Sequence, residues 1–139
     1  SEHRVAKAAL NKFLGINQKG EVITEVGKRL GVVNDQLRQL ELVKLSVDLS
    51  SAIEKAIENY EKAIFIKPDF SDAHHNHALA LSQLKKFKDA IRSFNQTIKY
   101  KPEFAEAYYN RGLTYQALGK TAEAEEDIKK YEELTGQKP

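Results

Sequence analysis

Apolar residues recur along this chain at intervals of three and four, in runs long enough for helices rather than strands. Residues 2–14 place Val5, Ala6, Ala9, Leu10 and Phe13 on one side of a helix, which Gly15 closes as a C-terminal cap. Asn17-Gln18-Lys19-Gly20 reads as a turn, and Glu21 to Leu30 sets Val22, Ile23, Val26 and Leu30 on one face before Gly31 stops it. The β-branched content of that stretch keeps a short strand as the alternative. From the capping pair Asn34-Asp35, the residues Leu37, Leu40, Leu42, Val43, Val47 and Leu49 predict a helix buried on more than one side. Ser51-Ala52-Ile53-Glu54 has the Ser-x-x-Glu form that satisfies free amides reciprocally at a helix start. A second helix is therefore predicted through Ile53, Ala56, Ile57, Tyr60, Ala63 and Ile64, ending near Ile66 because Pro68 cannot continue it.

The next helix, capped by Asp69 or Ser71, is predicted to run to about Leu84 with Ala73, His74, His77, Ala78 and Leu81 facing inward. Lys85-Lys86-Phe87 connects it to a partner over Asp89 to Tyr100, built on Ala90, Ile91, Phe94, Thr97 and Ile98 and ended by Pro102. A third pair repeats the plan from Ala105 to Leu118 and from Thr121 to Leu134, turning at Gly119-Lys120 and closing before Gly136.

What organises these elements is a repeat. Lys67-Pro68-Asp69-Phe70 returns 34 residues later as Lys101-Pro102-Glu103-Phe104, and the match continues through Ala90 and Ala124, then Phe94 and Ile128. A period of this length marks a helix–turn–helix solenoid, in which each unit buries its apolar face only against its neighbours. Run backwards, the same frame lands Ala6, Ala9, Phe13, Val22 and Val26 on apolar positions, so residues 1–36 read as an N-terminal helical cap or a degenerate repeat.

Composition narrows the function. At 139 residues, 41% apolar and 30% charged, the chain supports one core of about one domain and is no disordered tail. A net charge of +2 is too small to argue for nucleic acid. Residues 1–34 hold six Lys and Arg against three acids, and residues 121–139 six acids against three Lys; ends of opposite sign permit end-to-end stacking, and solvated helix surface is the plainer account. The chain has no cysteine, which excludes disulfides, thiolate metal sites and cysteine nucleophiles. No apolar run reaches the length of a membrane span or signal-peptide core, and no membrane partner is expected. A cytoplasmic location is the default, with export or truncation left open because position 1 is Ser.

Candidate chemistry is sparse. His74, His75 and His77 form the one cluster that suggests a metal, yet zinc sites take three or four protein ligands. The repeat register makes His74 and His77 inward aromatic fillers and turns His75 to the groove. Acid pairs such as Glu125/Glu126 and Glu132/Glu133 lie on an exposed helix face with no pocket to tune them. No glycine-rich phosphate loop and no basic-aromatic stripe is present. No catalysis, no metal and no cofactor are expected.

With these positions in place, the sequence resembles the tetratricopeptide repeat (TPR) family over three tandem units: 37–70, 71–104 and 105–138, with the C-terminal end at 139. In the third unit Tyr108, Gly112, Tyr115, Ala124 and Ile128 stand at the Trp, Gly, Tyr, Ala and Phe sites, while Gly136 replaces the closing Pro. Ala78, Leu81, Phe87, Ala90, Phe94 and Pro102 fit in the second, and Ile53, Ala56, Tyr60, Ala63 and Pro68 in the first. Lys44 departs from the pattern, occupying a site that should be small, and the first helix of that unit is divergent. Arg111 stands where Leu is usual; its methylenes cover apolar surface while the guanidinium reaches solvent or an acid.

The resemblance implies an all-α fold, an antiparallel helix-pair solenoid or TPR superhelix. It further implies that the first helix of each unit lines a concave groove for a protein or peptide. Transferring that register gives Arg38, Glu41 and Leu45 from the first unit, Asp72, His75 and Leu79 from the second, and Glu106, Tyr109, Leu113 and Gln116 from the third. Leu45, Leu79 and Leu113 recur at one position and would draw an apolar line flanked mainly by acids, which suits an apolar anchor accompanied by Lys or Arg. One subset of the family clamps the acidic C-terminal tail of heat-shock chaperones; its sites here carry Glu41, Leu45, Asn76, Glu106 and Asn110, of which only Asn76 agrees, so no such tail is expected to bind. The expected function is a protein-interaction scaffold or adaptor. The alternatives are a regulatory or substrate-presenting TPR segment of a larger enzyme such as a glycosyltransferase, and a scaffold self-associating through its uncapped solenoid end.

Overall fold

The computed structural model describes residues 2–14 and 25–138, all helix and short turn: α1 (Glu2–Leu14), α2 (Glu25–Ile66), α3 (Ser71–Gln83), α4 (Phe87–Tyr100), α5 (Ala105–Ala117) and α6 (Thr121–Thr135). The expected cap at Gly15, the turn at 17–20 and the start of the next helix at Glu21 lie outside the described residues. The chain divides into two compact units, Ser1–Asp48 and Leu49–Pro139.

In the second unit α3 packs on α4 and α5 on α6, and α4 packs on α5. Small residues permit the close approach. Ala78, Ala90 and Ala107 are completely buried, and a methyl group added at Gly112 would meet the Asp127 Cβ at 3.2 Å, the Ala124 carbonyl at 3.3 Å and the Ile128 Cδ1 at 3.3 Å. Phe94 fills the space these residues leave, buried against Ile57, Leu81 and Ala78, with Ile53, Tyr60 and Leu84 at the margin. The Lys-Pro turns are tied down by the helix that follows each. His74 Nε2 lies 2.8 Å from the Pro68 carbonyl, and 34 residues on the Tyr108 hydroxyl donates to the Pro102 carbonyl at 2.8 Å. Neither Asp69 nor Ser71 acts as a side-chain cap; Phe70 occupies the N-cap of α3 in an extended conformation, and Phe104 that of α5, without side-chain capping bonds.

The main departure from the sequence reading is α2. A stop at Gly31, a start at Asn34-Asp35 and a second start at Ser51 were each expected, but one helix of 42 residues runs through all three. The helix pair expected over 37–70 is therefore not formed. An isolated Gly costs a helix only about 1 kcal/mol, and no Pro interrupts the run until Pro68. Ser51-x-x-Glu54 stabilises a helix start only where amides are free, and inside a helix they are already bonded. Lys44 removes the incentive to fold back: its counterparts are Ala78 and Gly112, where the neighbouring helix leaves room for a methyl at most. The end of α2 at Ile66 agrees with the sequence, and the next amide, Lys67, still bonds to the Ala63 carbonyl at 2.9 Å.

Along α2, Val26, Leu37, Leu40, Leu42, Leu45, Val47 and Leu49 are more than half exposed, and on α1 Val5, Leu10 and Phe13 are exposed likewise. None of the described helices is long and apolar enough to cross a membrane.

Candidate protein-binding groove

Between α3 and α5 the structure brings Leu79 and Leu113 into one depression of about 170 Å³, floored by Phe87 and Phe94 of α4 and edged by Ser82, Asn110 and Thr114. The 34-residue period explains the pairing, since Leu79 and Leu113 are equivalent positions on helices that lie side by side. Leu113 is 42% exposed, an apolar surface available to a ligand. Ser82 Oγ and Thr114 Oγ1 stand 3.5 Å apart across the groove, and Thr114 also donates to the Asn110 carbonyl at 2.8 Å.

His75 sits at the upstream end of this surface, but its ring is buried rather than turned to the groove. It packs against Phe104 at 4.6 Å and Phe94 at 5.8 Å between ring centres, and its Nε2 is 3.1 Å from Asn110 Nδ2, which donates to it. Burial lowers its pKa below the ordinary 6.5, and the carboxylates of Glu106 and Asp72 work against that shift. Those two acids are themselves exposed, so they present negative charge near His75, about two turns before Leu79 and Leu113 on the same helices. Tyr109 is half-buried and rests against Tyr131 of α6, ring centres 5.2 Å apart. Gln116 is exposed near the end of α5.

The first-unit candidates Arg38, Glu41 and Leu45 lie on the exposed part of α2 within the unit Ser1–Asp48, where Arg38 pairs with Asp35 at 3.8 Å. The helix pair that would have turned them into a groove wall is absent. Phe87, Asn110 and Thr114 were not anticipated as lining residues. Asn110 follows Tyr109 on α5, and its only advance sign was its place at a site that ligand-binding relatives use.

The three histidines diverge instead of converging on an ion: His74 bonds to the Pro68 carbonyl, His75 to Asn110, and His77 to Ser93 Oγ at 2.8 Å and Glu61 Oε1 at 3.3 Å. Arg111 reaches an acid, and that acid is buried. Its Nε and one terminal nitrogen donate to the two Asp127 oxygens at 2.8 and 2.7 Å, and the other terminal nitrogen donates to Asn95 at 2.8 Å. Burial acts to lower the Arg111 pKa, but the hydrogen bond and charge of Asp127, with Tyr115 and Tyr108 adding to them, outweigh it and the pKa is raised.

Residues 78–119 match the family described as TPR repeat and residues 105–138 the one described as Tetratricopeptide repeat. No curated protein is a significant match. Among solved structures, a crystal structure of MamA is 29% identical with a TM-score of 0.60 over 61% of this chain, which spans 50% of that one. The first TPR of Spaghetti (RPAP3), bound to the HSP90 peptide SRMEEVD, is 30% identical with a TM-score of 0.61, covering 63% of this chain and 69% of its own. The second TPR of the same protein, bound to the same peptide, is 28% identical with a TM-score of 0.58 over 59% and 76% of the two chains. Helix pairs in a 34-residue rhythm, a groove between their first helices, and these matches together place the chain in the tetratricopeptide repeat family, a helical solenoid of the protein-interaction class.

Proposed function

We propose that this chain is a non-enzymatic scaffold or adaptor module that holds an extended or helical protein segment against α3 and α5. The observation that carries the reading is the apolar depression under Leu79 and Leu113, with Asp72 and Glu106 exposed near His75 about two turns earlier on the same two helices. An apolar anchor seats over Leu113 and Tyr109, and a Lys or Arg of the ligand answers the carboxylates. Peptide binding by the two Spaghetti domains supports the use of such a groove, although their ligand SRMEEVD is acidic. Here Glu106 stands at a site where clamp-type relatives carry Lys, and Glu41 at another, so an acidic tail is repelled. Arg38, Glu41 and Leu45 belong to the first unit and remain a separate candidate surface in this proposal.

The test is fluorescence anisotropy with a panel of labelled peptides, some carrying Leu or Phe flanked by Lys, alongside SRMEEVD. Binding of micromolar order, about −8 kcal/mol, is expected for the basic-apolar set. The double change Tyr109→Ala and Leu113→Ala should abolish it; unaltered binding in that variant, or tighter binding of SRMEEVD, would falsify the groove reading. Self-association is the second reading, favoured by the Leu and Val side chains exposed along α2. Light scattering across a concentration series tests it, and a strict monomer throughout counts against it.

A further inference from the structure

Three positions that join neighbouring helices repeat with the 34-residue period, and they are filled differently in the two places where the structure uses them. Arg111 of α5 bridges Asp127 of α6 and Asn95 of α4; 34 residues earlier, His77 of α3 bridges Ser93 of α4 and Glu61 of α2. In the later copy a guanidinium occupies the space between the helices, with its carbon 5.7 and 5.8 Å from the Tyr108 and Tyr115 ring centres. In the earlier copy the shorter imidazole leaves a cleft of about 600 Å³.

The chemistry of that cleft matches what Arg111 supplies elsewhere. Its floor is apolar, from Ile57 and Leu81, both nearly buried. Glu54, Glu58 and Glu61 stand along one wall, at successive turns of α2. The cations on the opposite wall are Lys86 and Arg92, and Arg92 is held by Asp89 at 3.2 Å, its own side chain 79% exposed. Carboxylates therefore outnumber free cations. A second hollow of about 450 Å³ shares Glu61, His77, Arg92 and Ser93 with the first and extends it toward Ile64 and Gln96, so the whole is a trough and not a hole for a single ion.

We propose that this trough, on a surface separate from the α3–α5 groove, receives an arginine side chain of a partner protein. The guanidinium lies between Glu58 and Glu61 and beside His77, its methylenes cover Ile57 and Leu81, and the flanking peptide follows the trough. Arginine is favoured over lysine because its planar fork pairs with a carboxylate through two parallel bonds and sheds water more readily than an ammonium group.

The test is an NMR titration of the whole chain with N-acetyl-arginine-N-methylamide, with the lysine analogue as control. Saturable shifts of the His77 ring and the Ile57 methyl groups are expected, at least tenfold stronger in affinity for the arginine compound. Glu58→Gln with Glu61→Gln should remove the response; both carboxylates are exposed, and circular dichroism confirms that the variant is folded. His77→Arg should fill the cleft from within and compete the probe out, while Tyr109→Ala with Leu113→Ala should leave the shifts unchanged. Absence of shifts, equal response to the lysine analogue, or full binding in the glutamine or His77→Arg variants would overturn the assignment.

Discussion

Truncating Arg111 to Ala leaves Asp127 with no cation and very little water. The Asp127 side chain is 6% exposed, that of Arg111 is 19% exposed, and two hydrogen bonds of 2.8 and 2.7 Å join them. Removing one partner of a buried pair costs about 3–5 kcal/mol because the remaining charge is uncompensated. The space left by Arg111 opens toward solvent and lets water reach the carboxylate, so the lower end, about 3 kcal/mol, is expected. For a unit of this size that corresponds to a fall in Tm of roughly 12–24 °C. Asp127→Ala should cost less, about 2 kcal/mol, since the freed guanidinium can turn to Asn95 and to water. The combination Arg111→Leu with Asp127→Ala restores the residue usual in the family and removes the stranded charge, so it should be less destabilising than Arg111→Ala alone. Urea unfolding followed by helical circular dichroism measures all three. With Arg111→Leu measured alone as well, costs of the two single changes Arg111→Leu and Asp127→Ala that add to that of their combination within about 0.5 kcal/mol would refute the coupling, because contacting partners must deviate from additivity.

Three further outcomes follow from local structure. Ser51→Ala should change stability by less than about 0.5 kcal/mol, because Ser51 lies inside α2 and caps nothing; a loss near 1 kcal/mol in urea titration would show that a helix begins there. Lys85 holds the left-handed conformation (φ 60°) that its counterpart Gly119 adopts at φ 73°, so Lys85→Gly should raise stability by about 1 kcal/mol, and a loss would contradict the strain. His75 has its folded pKa lowered from 6.5 by burial, so its unfolded form binds the proton first: its contribution to stability is present above 6.5 and is lost as pH falls below that value toward the folded pKa. His75→Tyr, the residue found 34 positions on, should flatten the stability difference between pH 7.5 and 5.5 relative to the parent; equal slopes would exclude His75 as the source.

Where sequence and structure agree, the agreement rests on residues whose local physics admits one solution. Pro68 and Pro102 end helices whatever lies around them, and Gly119 and Gly136 supply left-handed turns at the ends of α5 and α6. Ala78, Ala90 and Gly112 declare close helix contacts because any larger side chain is refused. The pairing of Leu79 with Leu113 was legible to the same extent: they share a repeat position, and the period alone put them side by side. What stayed hidden depended on side-chain reach. Nothing in the spacing says that Phe87 extends under the groove, that His75 turns inward to Phe104, or that Arg111 spans three helices to Asn95 and Asp127.

The misread helix shows why a repeat register has less authority than a single side chain. Counting by 34 assigns residues 37–48 and 51–66 to a pair, but Gln39 stands opposite Ala73 and Ala107, Ser50 opposite Leu84 and Leu118, and Lys44 opposite Ala78 and Gly112. Lys44 is the bulkiest of these departures. At Gly112 the facing helix stands within 3.2–3.3 Å of where a first side-chain carbon would be, and a lysine in the equivalent place must either push the partner helix away or bury its ammonium group. Neither is compensated by a break in the chain, since no Pro lies between residues 31 and 67 to interrupt the backbone bonds. Continuing the helix keeps all those bonds and exposes the leucines instead. The exposed apolar stretch of α2 thus accompanies polar or bulky residues, Gln39, Lys44 and Ser50, at positions that would have to meet a partner helix.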